Sequence, residues 1–278
     1  MNPHATQPIS PVALLRSVIR NRQLISQMAK REVVGRYKGS VMGLLWSFLN
    51  PILMLVVYTF FFSVIFKARW GVIDGVEESK TQFAVVLFVG IIVHGLFAEV
   101  LNRAPTLITS NVNYVKKVIF PLEILPLISL CAALFHSLVS LMVLLTAFVI
   151  FNHYLHWTVI LAPLVFLPLI IISLGFAWML ASLGVFLRDV GQSIGLLTTV
   201  LMFISPVFFP ITAMPEEYRP IIMANPLTFI IEQAREVLIW GHTPDWLGIG
   251  IFTLVACVIA WLGFIWFQKT RKGFADVL

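Results

Sequence analysis

Charged side chains are scarce in this sequence. Only 12% of its 278 residues are Asp, Glu, Lys or Arg, whereas 59% are hydrophobic, and the mean hydropathy is +0.96. A soluble domain normally draws about a quarter of its residues from the charged types. The chain has too little polar surface for a soluble fold, so we expect a protein that crosses a membrane several times.

Cysteine is also scarce. Cys131 and Cys257 are the two cysteines, and both lie in apolar runs, where a thiol behaves as a small hydrophobic side chain. We therefore expect no disulfide. The net charge is +6, but the basic residues gather at the ends of apolar runs. Anionic lipid, and not nucleic acid, is the expected partner of those cations.

The usual signatures of an enzyme are missing. The sequence has no GxxxxGK[ST] phosphate-binding loop, no His and acidic residues at metal-ligand spacing, and no grouping of Ser, His and acid that predicts a nucleophile. If a nucleotide drives this protein, the ATPase must be another polypeptide, so we expect no cofactor in this chain.

Ionisable residues are rare inside the apolar runs. Proton-coupled carriers generally place carboxylates or histidines within the membrane. Here Glu99 and Glu123 lie near the ends of apolar runs, which argues against such a carrier. His94 and His136 leave it open as an alternative, although a lone histidine in a span is more often hydrogen bonded within the packing.

The first apolar run organises the amino-terminal third of the chain. Residues 41–66 contain no charged side chain, and about 20 apolar residues suffice to cross a membrane. Four cations precede the run, and the positive-inside bias places them in the cytosol. They are Lys30, Arg31, Arg36 and Lys38.

The segment before that span predicts a helix at the membrane surface. Ser10 and Pro11 are typical of a helix N-cap and first turn. Apolar and basic residues then alternate at helical spacing, which favours an amphipathic interface helix; a topology anchor with no other role is the alternative. We divide the chain into a cytosolic tail with this helix, 1–40, and a transmembrane domain, 41–278.

Five further apolar runs are predicted spans, so the fold class is an all-α integral membrane protein with six transmembrane helices. Their approximate bounds are 83–101, 121–151, 158–187, 193–209 and 246–267. With six spans both termini lie in the cytosol. Glu99 and Arg103 are four residues apart on one helical face, which predicts an ion pair at the inner interface.

The interval between spans five and six predicts short external helices. Residues 211–245 hold five acids and two arginines, a net charge of −3 that fits the external side. Asn225 and Pro226 predict the start of a helix that enters the outer leaflet without crossing it. Its polar face is predicted to contain Glu232, Gln233, Arg235 and Glu236.

Several motifs occur together in one order along the chain. A basic RYxxS element leads into a GxxWxxxxP helix, formed by Arg36, Tyr37, Ser40, Gly43, Trp46 and Pro51. NVNYVKKVIFPLEILP, LRD at 187–189, SPVFFP at 205–210, NPLT at 225–228 and a closing FADVL follow. In this combination the chain resembles the ABC-2 type permeases that export O-antigen, capsular polysaccharide and teichoic acid.

The resemblance implies an assembly. The permease would be a homodimer in the bacterial inner membrane with two copies of a cytosolic ABC ATPase, which would bind ATP and Mg²⁺. The loop between spans two and three resembles the coupling helix that contacts the ATPase. Its candidate coupling residues are Asn113, Tyr114, Lys116 and Lys117. A basic internal loop with no coupling role is the alternative.

The resemblance also implies a substrate, a glycan on a lipid diphosphate. Arg31, Arg36 and Lys38 stand at the base of the first span, where cations suit a diphosphate; topology alone is the alternative reason for them. Aromatic rings suit a sliding polymer because they contact sugar C–H groups without strong directed bonds. The candidate lining residues are Trp46, Tyr58, Phe62, Phe208 and Phe209, unless these rings pack against lipid or other helices.

The sequence leaves three alternatives to O-antigen export. One is an ABC-2 type permease for a teichoic acid, a capsule or a lipophilic drug. The second is the ion-coupled carrier. The third is a membrane transferase acting on a lipid-linked sugar, which would need a catalytic acid or base facing a cavity.

Overall fold

A computed structural model describes residues 9–65, 80–116 and 120–278, and over these residues the chain is helical with no strand. The amino-terminal half contains α1 to α6: Pro11–Arg20, Arg22–Tyr37, Trp46–Tyr58, Lys80–Arg103, Val112–Lys116 and Leu125–Asn152. The other half contains α7 to α12: Ala162–Phe186, Val190–Ile204, Arg219–Ala224, Pro226–Arg235, Trp246–Thr270 and Phe274–Val277.

Five helical segments of the described chain are long and apolar enough to cross a membrane. They are Gly43–Phe62, Phe83–Thr106, Leu122–Asn152, Trp157–Phe186 and Trp246–Val277. The chain is therefore a multi-pass membrane protein, as the composition predicts. The predicted fifth span corresponds to α8, a 15-residue apolar helix. It is shorter than the ~20 residues that span a membrane, so the count of six stays a prediction.

Helix α4 forms the centre of the fold. Its residues from Phe83 to Val89 are all at most 2% exposed. It contacts α6, α7, α8 and α10. A helix that is apolar on every side is expected where other helices surround it.

Helices α7 and α11 approach each other closely through small residues. A Cβ atom added to Gly175 would lie 2.7 Å from the Cα of Ala260, and one added to Gly263 would clash with the carbonyl oxygen of Gly175. Small residues allow such backbone approach, which stabilises helix pairs in membranes by van der Waals contact. Pro168 lies inside α7 without ending it.

The amino-terminal surface helix is two helices and not one. Ser10 caps α1 by accepting a hydrogen bond from the backbone N–H of Val12, as predicted. The chain bends at Asn21, whose side-chain amide donates to the carbonyl oxygen of Ser17 at 2.8 Å. Helix α1 leaves Val12 and Ile19 exposed, as expected of a helix that lies against lipid.

One ion pair joins both terminal segments to the bundle. Arg271, after α11, contacts Glu123 Oε2 at 2.8 Å, and Ser17 of α1 donates to Glu123 Oε1 at 2.9 Å. The indole N–H of Trp178 donates to the Glu123 carbonyl oxygen at 3.0 Å. These contacts bring α1, the start of α6 and the end of α11 together at one end of the molecule.

Candidate functional site

A cluster of three ionisable side chains joins α2, α4 and α6. Glu99 Oε1 lies 2.6 Å from Arg36 Nη1 and 2.9 Å from His136 Nδ1. Both nitrogens are donors to this oxygen when His136 carries its proton on Nδ1. The 3.1 Å approach between Arg36 Nη1 and His136 Nδ1 is then a contact between two donors.

The predicted ion pair between Glu99 and Arg103 is wrong. Glu99 binds Arg36 and His136, and Arg103 forms an ion pair with Glu32 of α2. The pairing is decided by tertiary packing. Helix α2 packs on α6 beside α4 and so brings Arg36 within reach of Glu99 and Glu32 within reach of Arg103. Partners from another helix replace the weaker pairing within one helix, which stabilises by only about 0.2–0.5 kcal/mol.

A cavity of about 220 Å³ opens beside this cluster, between α2, α3, α4 and α6. We call it the polar groove, and its polar lining includes Arg36, Asn50, Glu99, His136, Ser137 and Ser140. Apolar side chains such as Pro51, Met54 and Ile91 also line it. Of the predicted headgroup residues only Arg36 lines it.

A second cavity, of about 300 Å³, lies between α2 and the chain around α5. Arg31, predicted to bind a headgroup, and Tyr114, predicted to couple to an ATPase, line it together with Glu32 and Arg103. Burial raises the pKa of the Glu32 carboxyl, and Arg103 opposes that rise. We call this cavity the Arg31 groove.

The three predicted headgroup cations are exposed but differ in their partners. Arg36 is neutralised by Glu99. Arg31 and Lys38 are exposed, and within the described chain neither forms an ion pair. Their headgroup role stays a prediction.

The predicted coupling residues lie on and beside α5, a single short turn of helix. Asn113 and Lys116 are exposed, and the Tyr114 ring stacks on Phe120 with centroids 4.4 Å apart. Lys117 lies outside the described residues. The stacking fixes the turn against the start of α6 and leaves its other polar side chains facing outward.

The predicted lining aromatics do not all lie together. Phe62 stacks on Phe208 with centroids 5.8 Å apart, and Tyr58 lies 6.4 Å from Phe62. Trp46 begins α3 at the other end of that helix, and Phe209 is half-buried. The structure thus gathers Tyr58, Phe62 and Phe208 into one cluster, and the lining role of all five stays a prediction.

Arg235 is fully buried, and the prediction that it lies on the polar face of its helix is wrong. Its Nη1 contacts Glu232 Oε1 at 2.7 Å, its Nε donates to the Val86 carbonyl oxygen, and its Nη2 donates to that of Val207. The helix start at Asn225 is as predicted, with the side chain accepting from the backbone N–H of Leu227. Burial lowers the pKa of Arg235 to about 10, so it remains charged at neutral pH.

His94 is hydrogen bonded within the helix packing, as expected of a lone histidine in a span. Its Nε2 lies 2.9 Å from the carbonyl oxygen of Thr198 in α8. His136 instead belongs to the ionic cluster. No local pattern distinguished the two histidines, since only the packing of α2 against α6 supplies His136 with charged neighbours.

Several known proteins are similar to this chain over most of its length. The O-antigen export system permease protein RfbA of Myxococcus xanthus is 26% identical over 267 residues, covering 95% of this chain and 99% of the relative. A protein of the same name from Klebsiella pneumoniae is 24% identical over 92% of this chain and 95% of its own length. The polysialic acid transport protein KpsM of Escherichia coli is 22% identical over 87% of this chain and 92% of its own.

A family model covers the segment that contains the polar groove, the Arg31 groove and Arg235. The model describes the ABC-2 type transporter and matches residues 23–239, most of the chain. The chain therefore belongs to the ABC-2 type transporter family.

Proposed function

We propose that this chain is the transmembrane permease subunit of an ATP-driven exporter that moves a lipid-diphosphate-linked polysaccharide out of the cytosol across the inner membrane, O-antigen being the first candidate. One observation carries the proposal, the end-to-end similarity to an O-antigen export permease, over 95% of this chain and 99% of the relative. Similarity of that extent favours a shared architecture and transport task.

The working unit is a homodimer of this chain with two copies of a cytosolic ABC ATPase, which bind ATP and Mg²⁺. Both termini lie in the cytosol. The contacts of Glu123 with Ser17 and Arg271 support a common side for the two terminal segments. Asn113 and Lys116 are exposed beside the Arg31 groove and are the candidates for contact with the ATPase, together with Tyr114 and Lys117.

The lipid diphosphate binds at Arg31 and Lys38, with Arg36 at the edge of the same region. Arg31 and Lys38 have no ionic partner within the described chain, so their charge is available to phosphate. Arg36 contributes less because Glu99 already balances it. The ring cluster of Tyr58, Phe62 and Phe208 is the candidate contact for the polymer.

A capsular polysaccharide is the second candidate substrate. The observation that favours it is the similarity to a polysialic acid transport protein over 92% of that relative. An ion-coupled carrier has weaker support, because His94 is engaged in helix packing. Export assays in lipid vesicles that contain both O-antigen and capsular polysaccharide would show which of these two candidate substrates the permease exports.

The test is export by the permease and its partner ATPase in reconstituted vesicles loaded with a lipid-diphosphate-linked glycan. We expect the glycan to become accessible to an external glycosidase only with both proteins and ATP. Vesicles with the permease alone, or with a non-hydrolysable ATP analogue, are the controls. Transport by the permease alone that collapses with the proton gradient would contradict the proposal.

A further inference from the structure

The polar groove contains polar groups that the described chain leaves without partners. The Asn50 amide and the Ser137 hydroxyl line it, and neither forms a hydrogen bond to a described residue. The Nε2 atom of His136 is buried and also has no partner in that part of the molecule. Unpaired buried polar groups are uncommon in native proteins, so His136 Nε2 requires an explanation. Asn50 is exposed and Ser137 is half-buried, so their polar groups can be reached from the groove.

The unpaired polar groups of the groove lie in the membrane domain. Asn50 and Ser137 lie on α3 and α6, both long apolar helices of the membrane domain. An amide or hydroxyl without a partner is expensive in hydrocarbon. Hydrogen-bonding groups from outside this chain would relieve that cost in the groove.

The charge balance indicates what those groups are. Glu99 uses Oε1 for both Arg36 and His136, so the cluster carries little net positive charge to attract a phosphate. Oε2 of Glu99 has no partner among the described residues and is not buried, so it can accept another hydrogen bond. Amide, hydroxyl and carboxylate groups together both donate to and accept from hydroxyls.

The apolar part of the lining and the size of the groove restrict the ligand further. Pro51, Met54 and Ile91 also line the groove and offer an apolar surface to C–H groups. The cavity of about 220 Å³ is smaller than the ~300–1,000 Å³ typical of pockets for drug-sized ligands. One ring fits that description better than a longer stretch of chain.

We propose that the polar groove binds a neutral, hydroxyl-bearing sugar ring of the lipid-linked glycan, the ring next to the diphosphate. This inference rests on the proposed function. Arg36 lines the groove, and Lys38 follows it by two residues, so a diphosphate at the exposed cations lies beside the groove. Asn50, Ser137 and Glu99 hold the ring's hydroxyls, and Arg36 and His136 position the Glu99 carboxylate.

The test compares two probes on the complex of permease and ATPase in nanodiscs without nucleotide. One probe is a polyprenyl diphosphate, and the other is the same lipid bearing a single N-acetylhexosamine. We expect the wild-type complex to bind the sugar-bearing lipid about tenfold more tightly. Asn50→Leu and Ser137→Ala should each remove most of that preference while affinity for the bare lipid diphosphate stays the same.

Thr146→Val is the matched control, because Thr146 is on α6 outside the groove and its hydroxyl already donates to Met142 at 2.8 Å. It should keep the tenfold preference. Asn50 is exposed, so its replacement by leucine leaves the helix packing intact. A second readout, release of the wild-type complex from the sugar-bearing lipid by free N-acetylhexosamine at millimolar concentration, should be lost in Asn50→Leu.

Equal binding of the two probes by the wild-type complex would overturn the inference, and so would an unchanged preference in both groove variants. Either result, obtained while the vesicles still export glycan with ATP, leaves the proposed function standing. Failure of ATP-dependent export in the wild type rejects the proposed function itself. The two failures are therefore measured separately.

Discussion

Arg235 Nη2 donates to the backbone carbonyl oxygen of Val207 at 3.3 Å and so ties α10 to the irregular chain that follows α8. A Cβ atom on Gly90 of α4 would lie 3.2 Å from the same nitrogen and 3.1 Å from the Val207 Cα. The absence of a side chain at Gly90 thus leaves room for the guanidinium. One buried charge thus connects three segments, α4, α10 and the Ser205 to Pro210 motif.

Replacing Arg235 by methionine should destabilise the protein strongly. The substitution leaves Glu232 without its partner and two carbonyl oxygens without their donor. Breaking a fully buried ion pair typically costs about 3–5 kcal/mol, and because Glu232 is 31% exposed we expect a cost toward the lower end of that range. We expect a clear fall in the melting temperature of the purified permease. Arg219→Met is the control, because Arg219 pairs with the exposed Glu216 and such pairs contribute about 0–1 kcal/mol. Equal melting of Arg235→Met and wild type would refute the anchoring role.

Gly263→Ala should disrupt the packing of α7 against α11. The new methyl group meets the backbone of Gly175, which cannot move as a side-chain end can, and overpacking costs about 1–3 kcal/mol. Gly250→Ala on the same helix is the matched control, since nothing lies within 4 Å of the added atom. Thermal melting monitored by size-exclusion chromatography should separate the two variants. Identical curves would contradict the close contact.

The spans and helix starts could be predicted because their signals are local. A long apolar run marks a membrane helix whatever lies around it, and Ser10 and Asn225 cap their helices with their own side chains. The split of the surface helix also had a local signal that was missed, since Asn21 is a residue that favours helix ends.

The ionic contacts could not be predicted because their partners are far apart in sequence. Arg235 and Val86 are separated by 149 positions, and Arg36 and Glu99 by 63. The sequence shows which residues are polar but not which helix faces meet. For the same reason the polar groove, built from four helices, had no signature, although its member Arg36 was a predicted site residue.

Titration of the Glu32 carboxyl should lower the free energy of unfolding of the protein as the pH rises above 4.5, the ordinary pKa of this group. Burial raises the pKa of Glu32 in the folded protein, so the folded state holds its proton more tightly than the unfolded state. The favourable contribution is complete below pH 4.5 and is lost as the pH passes the raised pKa. Glu32→Gln should flatten this part of the curve of melting temperature against pH. Glu216→Gln, at an exposed carboxyl, should not, and an equal slope in Glu32→Gln and wild type would count against the prediction.

Lys116→Glu should weaken coupling to the ATPase without unfolding the permease. Lys116 is exposed on α5, and reversing its charge changes the surface and leaves the Tyr114 to Phe120 stacking intact. We expect lower ATPase stimulation in the complex and an unchanged melting temperature. Lys269→Glu, on the last turn of α11, is the control, because it reverses one basic charge at a site away from α5. Full stimulation in Lys116→Glu would exclude a role for this residue in coupling.

Arg31→Gln should weaken recognition of the lipid diphosphate more than Arg36→Gln does. Arg31 has no ionic partner within the described chain, whereas Arg36 forms an ion pair with Glu99, with Nη1 2.6 Å from Oε1. A hydrogen bond to a charged group contributes about 1.5–3 kcal/mol, so we expect the KM for the lipid-linked glycan to rise about tenfold or more in Arg31→Gln with kcat little changed. Arg16→Gln on α1, another exposed arginine of the surface helices, controls for the loss of one basic charge. If Arg36→Gln raises KM more than Arg31→Gln, the cation that binds the diphosphate is the one paired with Glu99, and the pair must open when substrate binds.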